Sequence, residues 1–215
     1  MKLGVYGSGG LGKEVFELAQ RCNRNSSRWE EIVFIDDFRN EGDFFGTKSI
    51  RFETLLELKK TFECVVGIGE PSSREKLFNK LTENGISLTT IIDPSVVFSA
   101  TATIGEGTTI CEFASIHADV GIGRNCLIQP YCLIGHDTKI GDHCVLSTHC
   151  SPGGSSTYGN RVFAGMHSSI KEKLTIGDDV IIAMGAAVFQ SLQSGVTVVG
   201  NPARITKGRD DHKVF

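Results

Sequence analysis

The chain has 215 residues, 40% of them hydrophobic and 22% charged, with a formal net charge of −3. That balance fits an ordinary folded protein, and it excludes a largely disordered chain and a basic surface for nucleic acid or membrane. No apolar run approaches 18 residues, and the opening Met-Lys-Leu-Gly-Val-Tyr-Gly is broken by glycine too soon for an export signal, so a cytoplasmic location is expected.

Residues 1–92 read as one α/β unit. Met1 to Tyr6 is a buried strand, followed by Gly7-Ser8-Gly9-Gly10-Leu11-Gly12 and an amphipathic helix from Lys13 to about Cys22. A second strand, Ile32 to Ile35, ends in Asp36-Asp37. Phe52 to Lys60 reads as helix, Cys64 to Ile68 as a third strand ahead of Gly69, and Ser73 to Asn84 as a second strong helix. Alternating strands and helices imply a small parallel sheet. The glycine turn fits G-x-G-x-x-G, in which glycines let a phosphate approach backbone N–H groups at a helix N-terminus. A dinucleotide fold needs two such halves and this unit has room for one, so a mononucleotide or sugar nucleotide fits better than NAD. A turn without a ligand is the competing reading. Asp36 and Asp37 stand at a strand's carboxyl end, where ligands of open α/β sheets bind, and could accept hydrogen bonds from ribose or base; a solvated turn explains them equally well.

Residues 93–215 follow a different rule, with Ile91-Ile92-Asp93-Pro94 as the link and the repeat setting in near Val96. Every sixth residue from Ile104 to Val188 falls on one apolar column, and twelve of those fifteen are Ile, Leu or Val. A helix repeats near 3.6 and a strand at 2, so a period of six denotes a hexapeptide β-helix, a prism with three six-residue faces per coil. Residues eighteen apart then stack. Small residues fill the fourth position after the column, among them Cys126, Cys132, Cys144 and Cys150. These four read as buried small hydrophobes rather than as metal ligands or disulfides, since the total of seven is odd and export is not indicated. The column falters at Pro152, Tyr158 and Ala164, which suggests a distorted coil or bulge. A short strand, Val196 to Val199, precedes Gly200-Asn201-Pro202-Ala203 and a polar tail that includes Arg204 and Lys207.

Of six histidines, His149 and His167 share a corner of successive coils, His117 and His143 lie on flanks, and His212 is in the tail. His136 differs because Asp137 follows it at an Ile134-Gly135 corner. Its side chain is expected to point away from the interior, and an imidazole beside a carboxylate is a candidate general base; an exposed surface histidine is the alternative.

The short G-x-G-x-x-G unit joined to a hexapeptide prism resembles the sugar acetyltransferases that include the sialic acid O-acetyltransferases and the UDP-4-amino-sugar N-acetyltransferase of bacillosamine synthesis. The resemblance rests on Phe34-Ile35-Asp36-Asp37-Phe38, Gly67-Ile68-Gly69 with Arg74, Ile134-Gly135-His136-Asp137-Thr138-Lys139-Ile140-Gly141-Asp142 and the closing Gly200-Asn201-Pro202-Ala203. It implies a left-handed prism, a homotrimer, and acetyl-CoA in a groove between neighbouring prisms, with no metal. His136 would be the base and Asp137 the carboxylate that strengthens it. Gly154, Met166 and Met184 would lie along the acetyl-CoA groove. Ser8, Gly9, Gly10, Asp36, Asp37, Gly69 and Arg74 would hold the sugar nucleotide. Many members carry histidine nine residues after the base and asparagine seven before it, where this chain has Val145 and Gln129; this leaves the sugar open.

The reading that results is an acetyl-CoA-dependent N-acetyltransferase acting on a UDP- or dTDP-linked amino-dideoxy sugar for bacterial surface glycan. Its rivals are O-acetylation of a sugar such as sialic acid, and a non-catalytic binding or scaffold protein.

Overall fold

The first strand, β1 (Lys2–Tyr6), is buried on both sides, as expected of a central strand in a parallel sheet. The computed structural model describes residues 1–206 and 214. After β1 come α1 (Gly10–Ser26), β2 (Ile32–Ile35), β3 (Gly42–Phe44), β4 (Thr47–Ile50), α2 (Phe52–Leu58), β5 (Phe62–Val66), α3 (Pro71–Glu83) and β6 (Ser87–Leu88). They form a six-stranded sheet of order β3-β4-β2-β1-β5-β6, parallel except for the hairpin pair β3 and β4. Val15, Phe16, Leu18 and Ala19 of α1 cover one side. Phe52 and Leu55 of α2 with Phe78 and Leu81 of α3 cover the other.

The β3–β4 hairpin was not legible beforehand. Its two-residue turn has Phe45 at φ 50° and Gly46 at φ 72°, the type I′ signature, but Phe-Gly is not the usual pair there. Helix α1 starts three residues before the expected Lys13, inside the glycine motif. Gly12 permits this, since a Cβ there would overlap the Gly7 carbonyl oxygen.

The prism begins at Ile91–Ile92, which pairs with Thr109–Ile110, so the presumed link already forms the first coil. Coils then stack in the eighteen-residue register, Thr109 on Leu127, Leu127 on Val145 and Val145 on Phe163. This is a left-handed parallel β-helix. Its first face holds strands Ile91–Ile92, Thr109–Ile110, Leu127–Ile128, Val145–Leu146, Phe163–Ala164 and Ile181–Ile182. The second face runs from Val97–Phe98 through Leu133–Ile134 to Ala187–Val188, and the third from Thr103–Ile104 through Lys139–Ile140 to Thr175–Ile176. The apolar column points inward, and the four small-column cysteines are buried there as free thiols. Burial pushes the Cys150 thiol up to about 12, which leaves it inert at neutral pH.

The coil around Pro152 is regular, contrary to the expected bulge. Pro152, Tyr158 and Ala164 are all buried in the column, and Tyr158 stacks in register between Ile140 and Ile176. What the coil loses is a hydrogen bond, because Pro152 has no N–H for the Leu133 strand. The second face is held there by Leu133 N–H to Cys150 O at 3.1 Å and Gly135 N–H to Pro152 O at 2.9 Å. The last coil is shorter: Ile181 pairs with Thr197, sixteen residues on. An antiparallel strand, Arg204–Thr206, then covers the open edge. Lys207 and His212 lie outside the described residues.

Candidate active site

The corner between the second and third faces carries His136. Asp137 there takes φ 59°, and its carboxylate Oδ2 lies 2.7 Å from His136 Nδ1. Both side chains are more than half exposed. With Nδ1 committed to the carboxylate, the proton of a neutral imidazole sits on that nitrogen and Nε2 offers its lone pair outward. Gly154, one coil on, lies directly against the ring: a Cβ there would stand 3.0 Å from Nε2. The structure thus brings together His136, Asp137 and Gly154.

A second group surrounds the glycine turn. Ser8 donates to Asp36 from its backbone N–H, at 3.2 Å, and from its hydroxyl, at 2.5 Å. Asp36 also accepts from Phe38 N–H at 2.9 Å. Burial pushes the Asp36 carboxyl up, but the bonds from Ser8 and Phe38 outweigh it and hold it below the usual range. Asp36 therefore braces the loop in its ionised form. Gly9 and Gly10 open to solvent, and α1 has no side-chain cap, so backbone donors at its start are available to an anion. Asp37 faces elsewhere, accepting from the Tyr6 hydroxyl at 2.7 Å, Lys80 Nζ at 2.9 Å and Phe52 N–H at 3.2 Å.

Two neighbours of this loop escaped the sequence reading. Arg39 donates from Nε to Ser8 Oγ at 3.0 Å, which sets a cation beside the glycine turn, and Phe38 is fully exposed next to Asp36. Their signal was their place just past the Asp36-Asp37 pair, at a strand's carboxyl end.

Arg74 requires a correction. Its side chain is fully buried and cannot reach a nucleotide. It donates to five acceptors of the protein itself: the Asn125, Val66, Ile68 and Cys126 carbonyls and the Asn125 amide oxygen, at 2.8–3.3 Å. Burial lowers the guanidinium to about 10, so it remains charged at neutral pH. Arg74 locks α3 to the corner between the third and first faces of the prism.

His143 stands at the same corner. Asn125 donates from Nδ2 to the Arg74 carbonyl at 3.0 Å and lies 2.9 Å from His143 Nδ1, while Phe78 packs edge-on to the imidazole. Because Asn125 supplies the donor, Nδ1 accepts and the ring is neutral. Burial lowers the His143 pKa below 6.5. Unfolded histidine binds a proton more readily than His143 does in the folded chain, so stability is intact above pH 6.5 and falls as pH drops below it. Urea titrations from pH 7.5 to 5 are expected to record that loss, and to record less of it in His143→Gln, whose amide oxygen can still accept from Asn125.

The remaining expected residues are divided among places. Gly69 lines a cleft between α1 and the first face, together with Leu11, Glu14, Leu127, Gln129, Val145, Ser147 and Phe163. Met166 lines the adjoining cleft with Glu17, Arg21, Glu112 and Thr148. Met184 is exposed one coil further along the corner between the first and second faces. Helix α1 and the glycine turn therefore stand over the first face, and His136 sits at the opposite edge of the triangular section. One chain does not bring its histidine to its own glycine turn.

The comparisons with known proteins fit this two-part layout. Residues 2–81 match the PglD N-terminal domain, and residues 119–151 match the bacterial transferase hexapeptide repeat. A mutant of perosamine N-acetyltransferase from Caulobacter crescentus, solved with CoA and GDP-perosamine, is 27% identical, with 96% of this chain and 97% of that one covered and a TM-score of 0.89. The acetyltransferase domain of PglB from Neisseria gonorrhoeae FA1090, in complex with acetyl coenzyme A, is 28% identical over 95% of this chain and 98% of its own, with a TM-score of 0.89. This chain has the two-part architecture of the hexapeptide-repeat sugar acetyltransferases. WeeI from Acinetobacter baumannii AYE, 28% identical over 96% of this chain and 100% of its own, has the same architecture at a TM-score of 0.89. The sugar acetyltransferase described here has no helix, among its described residues, long and apolar enough to cross a membrane.

Proposed function

We propose that this protein acetylates the amino group of a nucleotide-linked amino-dideoxy sugar from acetyl-CoA, in the cytoplasm, for bacterial surface glycan. The observation that carries the reading is the His136–Asp137 pair, an exposed imidazole whose outer nitrogen is free to take a proton. The sugar amine attacks the thioester carbonyl; the C–N bond forms, the C–S bond breaks, and the amine's proton passes to His136 Nε2. His136 then hands that proton to the departing sulfur, so CoA leaves as the thiol and no acyl-enzyme forms. Ser8, Gly9, Gly10, Asp36 and Gly69, joined by Arg39, bind the nucleotide. Gly154, Met166 and Met184 line the acetyl-CoA groove, while Asp37 supports the strand end through Tyr6 and Lys80.

The site is assembled between chains of a homotrimer. His136 of one chain meets the glycine turn of the next, since the two stand on opposite sides of a single prism. An exposed apolar strip supports this assembly. Phe113, Tyr131, His149 and His167 stack along one corner at 4.7–5.0 Å, beside exposed Val97 and Leu133 on the second face.

A thiol-release screen of acetyl-CoA against UDP-, dTDP- and GDP-linked amino sugars, with hydroxyl sugars and sialic acid as controls, tests the reaction. Turnover with amino sugars alone is expected. Turnover with free sialic acid in their place would favour O-acetylation, and no turnover at all would favour a scaffold. The nucleotide pocket has its own test in Gly9→Val. Among the described residues, no atom beyond Gly9's chain neighbours lies within 4 Å of a Cβ at Gly9, so the fold tolerates the change. KM for the sugar nucleotide is expected to rise roughly tenfold or more while KM for acetyl-CoA holds. Equal effects on both substrates would contradict the assignment.

A further inference from the structure

The β3–β4 hairpin sets an aromatic cluster beside the glycine turn. Phe44 packs edge-on to Phe34 with ring centroids 5.3 Å apart, and Phe45 packs edge-on to Phe16 at 6.0 Å. Phe45 takes φ 50° at a turn position that favours asparagine, aspartate or glycine, and a bulky residue in that conformation calls for a reason. The rings carry two cations. The guanidinium carbon of Arg39 is 3.7 Å from the centroid of Phe44, so the group lies on the ring face. Lys13 Nζ lies 5.6 Å from Phe44 and 5.3 Å from Phe45.

Both cations border the glycine turn, Lys13 from the first turn of α1 and Arg39 through its Nε, which donates to Ser8 Oγ at 3.0 Å. Neither enters a salt bridge among the described residues, and Nη1 and Nη2 of Arg39 donate to none of them. The three carboxylates nearest to Arg39 along the chain are engaged elsewhere: Asp36 by Ser8 and Phe38, Asp37 by Tyr6 and Lys80, and Glu41 by the Arg51 N–H and the Thr54 hydroxyl. An arginine stacked on a ring and bonded only at Nε presents its two outer nitrogens as a fork for phosphate oxygens. Arg39 is exposed, and an exposed arginine without such a platform samples many rotamers. The Phe44 ring removes much of that freedom before a ligand arrives, which lowers the entropy cost of binding.

We infer that Phe44 is a positioning residue for the sugar nucleotide, acting through Arg39: it holds the guanidinium beside the glycine turn, with Lys13 on the same rings, so that both cations meet the diphosphate. The inference rests on the proposed nucleotide pocket and names the element that organises its positive charge.

The test measures dissociation constants of UDP, dTDP and GDP by calorimetry at pH 7 without acetyl-CoA, and follows the tightest of the three through the variants. Arg39→Ala is expected to weaken it roughly tenfold or more, Phe44→Leu about fivefold, and Phe44→Tyr, which keeps the ring, less than about twofold. In an Arg39→Ala background Phe44→Leu is expected to add almost nothing, because the arginine it acts through is gone. Arg39→Lys leaves the hairpin untouched and keeps the charge, yet should cost about fivefold, since an ammonium has no flat face to lie on the ring. In turnover each loss should appear in KM for the sugar nucleotide, with kcat and KM for acetyl-CoA holding. Equal weakening by Phe44→Leu in both backgrounds would mean that the ring only supports the fold. That result, or wild-type affinity in Phe44→Leu or Arg39→Lys, overturns this inference alone. A wild type that binds none of the three nucleotides overturns it together with the proposed pocket.

Discussion

Replacing His136 with Ala is expected to lower kcat by roughly 10² to 10⁴, the range for loss of a general base, with both KM values near wild type. The side chain is exposed and its partner is the neighbouring Asp137, so the fold is left alone and the loss falls on chemistry. Asp137→Asn should cost less, because the imidazole keeps its place at the corner and loses only the carboxylate that holds Nδ1. Steady-state kinetics of thiol release, with circular dichroism to check folding, measure both. A His136→Ala enzyme with near-normal kcat would reduce His136 to a surface histidine and move the search to His149 and His167.

Arg74→Met is expected to destabilise the protein by about 3–5 kcal/mol, the cost of breaking a buried charged network by removing one partner. All five hydrogen bonds from Arg74 are lost at once, and although Cys126 O keeps the Thr109 N–H at 2.9 Å, a buried carbonyl left unpaired costs about 1–3 kcal/mol. Methionine nearly fills the space, so a cavity contributes little. Urea unfolding without ligands measures the effect. Wild-type stability with a raised KM for the sugar nucleotide would instead return Arg74 to the substrate site.

These two residues mark what could and could not be read from the sequence. The exposed position of His136 beside Asp137 was legible because an outward corner, a following aspartate and the hexad phase are all sequence properties. Arg74 was misread because the resemblance transfers a position but not its burial, and only the packing of α3 on the Asn125 corner reveals that its donors are spent inside the fold. The hexads gave the prism coil by coil, yet misjudged Pro152, since a proline that points inward fills the apolar column and drops only one ladder bond. The shortened last coil was hidden because Val198 continues the buried column two residues early. The cleft between α1 and the first face was hidden for another reason: a helix and a prism face create it, and no spacing along the chain joins their residues.

The composite site is the central claim, and subunit complementation tests it most directly. His136→Ala and Gly9→Val chains are co-expressed with different tags, and trimers carrying both are purified and assayed by thiol release. A site built between chains regenerates wherever the His136 of a Gly9→Val chain meets the intact turn of a His136→Ala chain. Every mixed cyclic trimer restores one interface in three, so with sugar nucleotide well below its KM activity near a third of wild type is expected, far above either parent. Mixed trimers no more active than their parents would mean that each chain works alone, and would contradict the account.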